Sequence, residues 1–149
     1  MRVAVVGATG VVGTTMLELL RDRGFPADEI TAFASPRSAG RVLDGGLTVR
    51  ALEPGADIEG FDIALFSAGA ATSREWAPRF VKAGATVIDN SSAWRRDPEI
   101  PLVVSDVNPE ALDRHRGLIA NPNCSTMQLV VALAPIHRRA GIEPDQGPR

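Results

Sequence analysis

The only thiol in the 149-residue chain is Cys124, and it stands in the run NPNCST. Asn-Pro-Asn has the chemistry of a turn, and the residues after it, STMQLVVAL, repeat their apolar positions as a helix does. Cys124 therefore falls at a helix N-terminus, where unpaired N–H groups and the positive end of the helix dipole favour an anion. A thiol in such a place is suited to act as a nucleophile. If it attacks a carbonyl, the oxyanion that forms needs donors. The Cys124 main-chain N–H and the Asn123 side-chain amide are candidates. The competing reading is that a lone cysteine is a small buried core residue.

Two further groups of residues could serve such a thiol. In IDNSSAWRRDPEIP, Asn90 and Ser91 end a strand-like run, and Arg95 and Arg96 follow in a loop. Either guanidinium can fork onto a phosphate or carboxylate, or be an ordinary solvated side chain. Near the start, VAVVGATGVVG sets Gly7, Gly10 and Gly13 between a buried strand and an amphipathic helix. The spacing is G-x-x-G-x-x-G, a variant of the dinucleotide fingerprint. Glycines permit the tight turn and the close approach of a pyrophosphate, which the helix N-terminus then binds. The alternative is a strand–turn–helix that needs small residues only for packing. The next strand runs into SPRSAGR without the acidic residue that NAD's ribose calls for. Ser35, Arg37 and Ser38, with Arg41 beyond them, suit a 2′-phosphate instead, which points to NADP. Thr in the Ala-Thr-Gly loop also suggests short-chain dehydrogenases, but their Tyr–Lys proton transfer is excluded because the chain has no Tyr.

The elements that must position these residues alternate. Strands are predicted at 2–6, 29–35, 47–52, 61–69, 85–92 and in GLIANP, with a further extended piece at 102–108. Helices are predicted after Gly10, across ATSREWAPRFVKAG, briefly in PEALDRH, and across STMQLVVALAPIHRRAG. Pro78 weakens the second of these, and Pro135 should bend or end the last one early. The alternation implies an α/β fold: a doubly wound, mostly parallel, Rossmann-type sheet with helices on both faces. Residues 1–142 form one nucleotide-binding domain in this reading, and 143–149 a polar tail.

Composition agrees with an ordinary globular domain: 44% hydrophobic, 23% charged, net charge −2. Nothing suggests a nucleic-acid partner or a membrane surface, and no apolar run approaches the roughly 20 residues of a membrane span. A single Cys fits a reducing cytoplasm.

GATGVVG, FASPRSAGR and NPNCST together resemble aspartate-β-semialdehyde dehydrogenases, and DIALFSAG and VIDNSSAWRRDPEIPLVVSDVN extend the likeness. The resemblance implies NADPH-dependent reductive dephosphorylation of aspartyl β-phosphate to aspartate semialdehyde. That is a step toward lysine, diaminopimelate, methionine and threonine. It implies that Cys124 is the acyl-thioester nucleophile and that Asn123 helps position the thioester. Thr9, Gly10, Val11, Val12 and Gly13 would bind the pyrophosphate, and Ser35, Arg37 and Ser38 the 2′-phosphate. Ser67, Ala68 and Gly69 would flank the cofactor, and Arg95, near Asn90, would hold the substrate's phosphate group or free phosphate. The family forms homodimers or homotetramers, and its acid/base His, a Gln near the Cys, and further substrate-binding Arg and Glu residues belong to a second domain. The expectation is therefore an N-terminal part, inactive alone. Alternatives are a non-catalytic NADP-binding module of the same fold, or an N-acetylglutamyl-phosphate reductase-like enzyme. The latter typically carries Pro-Gly-Cys, against Pro-Asn-Cys here.

Overall fold

A computed structural model of the protein describes residues 1–142; the expected tail at 143–149 lies outside the described residues. Six strands form one all-parallel sheet: β1 (Arg2–Val6), β2 (Glu29–Ala34), β3 (Val49–Ala51), β4 (Ile63–Phe66), β5 (Thr86–Asp89) and β6 (Leu118–Ala120). Their order across the sheet is β3-β2-β1-β4-β5-β6, the doubly wound arrangement whose direction reverses beside β1. In register, Val3 lies between Ile30 and Ile63, and Val6 between Phe33 and Phe66. Because every pair is parallel, all six carboxyl ends emerge on one edge.

The two faces are covered by different helices. On one, α1 (Val11–Asp22) lays Met16, Leu17 and Leu20 against Val5, Ala8, Ala32 and Val49. On the other, α2 (Ala70–Lys82) buries Trp76, Ala77 and Phe80 against Phe33, Phe61, Phe66 and Val87. The aromatic rings meet edge-on, Phe66 and Phe80 at 5.4 Å between centroids and Phe33 and Phe80 at 6.0 Å.

Several boundaries differ from the sequence expectation. The strand expected at 61–69 is confined to Ile63–Phe66, and that at 85–92 to Thr86–Asp89. The polar and small residues after each leave the ladder to build the carboxyl edge. The expected extended piece at 102–108 makes only one bridge, Leu102 to Ala120, and Pro109–Arg114 is a 3-10 helix. Both internal prolines were expected to disturb their helices. Instead α2 continues through Pro78, and α3 (Cys124–Ala140) through Pro135. Each proline is exposed, so water can take the carbonyl it leaves without a donor, and in α2 the buried Trp76, Ala77 and Phe80 anchor the turns on either side. α3 itself has no buried residue.

Candidate functional site

The turn from β1 into α1 forms the floor of a cleft of about 420 Å³. Gly7 has φ +89°, and a Cβ there would lie 2.5 Å from the Ser67 carbonyl oxygen. A Cβ on Gly13 would lie 2.1 Å from the Gly7 oxygen. Neither position can carry a side chain without moving backbone. Gly10 caps α1 with no side-chain hydrogen bond, so the first N–H groups of the helix, from Val11 to Gly13, are left for an incoming group. Val11 and Val12 are exposed. A phosphate fits this cradle in both charge and donor chemistry.

The rest of the cleft is lined by Val6, Thr9, Ala34, Ser35, Pro36, Ser67 and Ala68, with Leu52 and α2's Thr72, Glu75 and Trp76 opposite. Gly69, exposed, is the residue before α2. Arg37 and Ser38 lie in the short 3-10 helix that follows Ser35, and Arg37 is exposed and makes no ion pair among the described residues. Sequence reasoning missed the α2 wall. Its residues come from a helix face whose orientation depends on tertiary packing, and only Trp76's apolar spacing hinted at it.

The second part of the site lies at the carboxyl ends of β5 and β6. The Asn121 N–H bonds the Asp89 carbonyl at 2.8 Å, and the Asn121 side-chain amide donates to Asn90 Oδ1 at 2.5 Å. Arg95 is half-buried and already engaged. Its Nε donates to the Asn121 carbonyl at 2.9 Å and its Nη2 to the Asn90 carbonyl at 2.7 Å. Two of its five N–H groups dock it onto the strand ends, which leaves both N–H groups of Nη1 and one of Nη2 for a further acceptor.

One turn further on, Pro122 is buried and Asn123 caps α3. Asn123 Oδ1 accepts from the Ser125 N–H at 2.9 Å, with Cys124 Sγ 3.9 Å away. The oxygen of this side chain thus serves the helix end, and its amide nitrogen makes no hydrogen bond among the described residues. Cys124 is exposed and is the first residue of α3. It stands on the same edge as the glycine cleft but is not one of the residues that line it. A larger apolar cleft of about 660 Å³ lies beside it, between Ile88, Val103, Leu112 and Ile119 and α3's Met127 and Val131.

The ionisable groups with displaced pKa values lie elsewhere, at the amino edge of the sheet. A hydrogen bond from Arg2 holds the Glu29 carboxyl below the usual range, and the N-terminal ammonium does the same for Asp28. No cluster of three metal-ligating side chains occurs among the described residues.

A family profile described as semialdehyde dehydrogenase, NAD binding domain, matches residues 2–115. The chain belongs to this family. Aspartate-semialdehyde dehydrogenase of Aquifex aeolicus is 58% identical over 147 residues, covering 95% of this chain and 43% of that protein. The crystal structure of aspartate semialdehyde dehydrogenase II from Vibrio cholerae, complexed with ASA, aligns with a TM-score of 0.90 at 50% identity, covering 95% of this chain and 48% of that one. The Candida albicans aspartate semialdehyde dehydrogenase, solved with NADP, aligns at 0.79 and 27% identity, covering 95% and 48%. The chain thus spans less than half the length of these semialdehyde dehydrogenases. No helix among the described residues is long and apolar enough to cross a membrane.

Proposed function

We propose that the chain carries the nucleotide-binding and nucleophilic parts of an aspartate-semialdehyde dehydrogenase. The observation that supports this most is the shared edge: the glycine cradle, the docked Arg95 and the exposed Cys124 all stand at the carboxyl ends of one parallel sheet. Relatives crystallised with NADP and with ASA supply the ligand classes.

In this reading the N–H groups at the start of α1 bind the pyrophosphate of NADP, and Ser35, Arg37 and Ser38 hold the 2′-phosphate. Bound NADPH supplies a hydride. The Cys124 thiolate attacks the acyl carbon of aspartyl β-phosphate, and the Cys124 N–H and the Asn123 amide face the oxyanion. The C–O bond to phosphate breaks, leaving a Cys124 thioester, while Arg95 Nη1 donates hydrogen bonds to the departing phosphate. Hydride addition to the thioester carbon gives a tetrahedral oxyanion on Cys124, and its collapse breaks the C–S bond to release aspartate semialdehyde and the Cys124 thiolate. The product feeds amino-acid biosynthesis, in a reducing, cytoplasmic setting, and the family's homodimeric or homotetrameric assembly is expected of the whole enzyme.

Residues 1–142 would form the nucleotide-binding domain of that enzyme. An acid/base group is not found beside the thiol among them. His137 lies 13 residues along α3, about 20 Å at the helical rise of about 1.5 Å per residue. His115 Nδ1 accepts from the Gly117 N–H at 3.1 Å. Turnover by these 149 residues alone is not expected.

The test is brief alkylation at pH 6.5 read by mass spectrometry. Cys124 should react faster than a small model thiol, and bound NADPH should change that rate. A rate equal to the model thiol's, indifferent to NADPH, would remove the nucleophile from this scheme.

A further inference from the structure

Asp89 ends β5 fully buried, and no cation pairs with it among the described residues. A carboxyl taken out of water must find donors for its oxygens. Three do so. Ser73 Oγ donates to Oδ2 at 2.7 Å, Ser91 Oγ to Oδ2 at 2.6 Å, and the Ser91 N–H to Oδ1 at 2.8 Å. With their protons committed to Asp89, the two hydroxyls are turned to accept. Ser73 Oγ accepts from the Trp94 indole N–H at 2.8 Å, and Ser91 Oγ from the Ala93 N–H at 3.1 Å. One acceptor thereby sets the direction of both hydroxyls and anchors a network of five hydrogen bonds.

Four of the five hold residues 91–94, the segment that leads into Arg95, and the fifth ties α2 to β5. Ser73 belongs to the first turn of α2, next to the Thr72 that lines the cofactor cleft. Arg74 adds a second tie, from Nη1 to the Ala93 carbonyl at 3.2 Å. Residues 90–94 are thus clamped between β5 and α2, and Arg95 leaves the clamp at the point where its Nε and Nη2 reach the carbonyls of Asn121 and Asn90.

We infer that Asp89 is a positioning residue that acts through Ser73 and Ser91 to present Arg95 at the strand ends. Its use in the reaction rests on the proposed role of Arg95 toward phosphate; the positioning itself does not. A side chain with only acceptors is what the arrangement needs. Asn at this position keeps the size but turns one acceptor into a donor: with its nitrogen at the Oδ2 place both hydroxyl protons lose their partner, and with its nitrogen at the Oδ1 place it faces the Ser91 N–H.

NMR of the 15N-labelled 149-residue chain tests this, with the Arg95 Nε–H and Trp94 indole N–H as reporters. In Asp89→Asn the Arg95 Nε–H should exchange with solvent faster by about tenfold, the loss of roughly one hydrogen bond, while the amides of β1 and β2 stay in place. Ser73→Ala, which deletes one hydroxyl, should move the Trp94 signal and shift Arg95 in the same direction. Unchanged Arg95 exchange in a folded variant overturns the inference, and if Asp89→Asn does not fold, Ser73→Ala decides by the same reading. Inorganic phosphate separates the two levels. A wild-type Arg95 signal indifferent to phosphate sinks the phosphate role and leaves the positioning result to stand. A response that weakens about tenfold in Asp89→Asn, with NADPH affinity unmoved, supports both.

Discussion

α2 and α3 begin alike and end differently. Each starts directly after a strand's carboxyl end, each contains an exposed proline, and they run for 13 and 17 residues. Yet α2 buries Ser73, Trp76, Ala77 and Phe80, and α3 buries nothing. Leu129, Val131, Leu133 and Ile136 of α3 stay exposed, and Arg138 Nη2 reaches the Val107 carbonyl at 3.0 Å. Local rules of period and capping are enough to specify both helices. They do not determine which helix is packed, because that depends on the surface each one meets. The glycine-cleft side of the molecule is therefore preassembled, and the Cys124 side is held by its cap and its turn.

The sharpest way to break this contrast is to cut into both helices. Phe80→Ala should cost about 3–5 kcal/mol in denaturant unfolding, since it empties the centre of the aromatic cluster. Leu129→Gln should stay within about 0.5 kcal/mol, as expected of an exposed site. A loss at Leu129 as large as that at Phe80 would mean that α3 is packed after all.

The rim of the preassembled side can be altered without touching either helix. Arg37→Ala should weaken NADPH binding by about 1–3 kcal/mol and leave NADH binding and unfolding unchanged. Equal losses for both nucleotides, measured by titration, would move the 2′-phosphate elsewhere.

α3 depends more on its cap than α2 does, because Gly69 caps α2 without a side-chain bond. Asn123→Ala removes the acceptor for the Ser125 N–H and should cost about 1 kcal/mol. The loss should appear as faster amide exchange confined to the first turn of α3. Exchange that rises equally across the sheet would show the two regions to be coupled.

The smallest effect lies on the opposite edge of the sheet. The Glu29 carboxyl is held below its ordinary value of 4.5 by Arg2. Its stabilising contribution is therefore present above that value and is lost as pH falls through the lower, folded one. The pair is exposed, so the slope is shallow. Glu29→Gln should flatten the acid limb of stability slightly and leave NADPH affinity untouched.

The sheet and the glycine turn were legible because their signals are local. VAVV and IALF are apolar runs bounded by breakers, and Gly7, Gly10 and Gly13 carry the geometry of the turn in their spacing. Arg95 and Asn90 were legible as residue types, but not the docking that uses two of Arg95's nitrogens, since its partners are carbonyls 5 and 26 residues away. The buried group around Asp89 was missed for the same reason. Ser73 and Trp94 look like ordinary surface residues until β5 and α2 are packed, and Ser91 was legible only as a strand end, not as a partner of Asp89. The one hint was an acidic residue closing an apolar strand. Helical continuity at Pro78 was underestimated because packing at Trp76 and Phe80 outweighs a local preference that sequence alone must honour.

At Gly7 the main chain leaving β1 comes within a Cβ's breadth of the main chain leaving β4 at Ser67. The floor of the glycine cleft is consequently peptide on peptide at that point, and no side chain sets its height. Substitutions around the rim can change what the cleft prefers, yet its depth is inherited from the sheet itself.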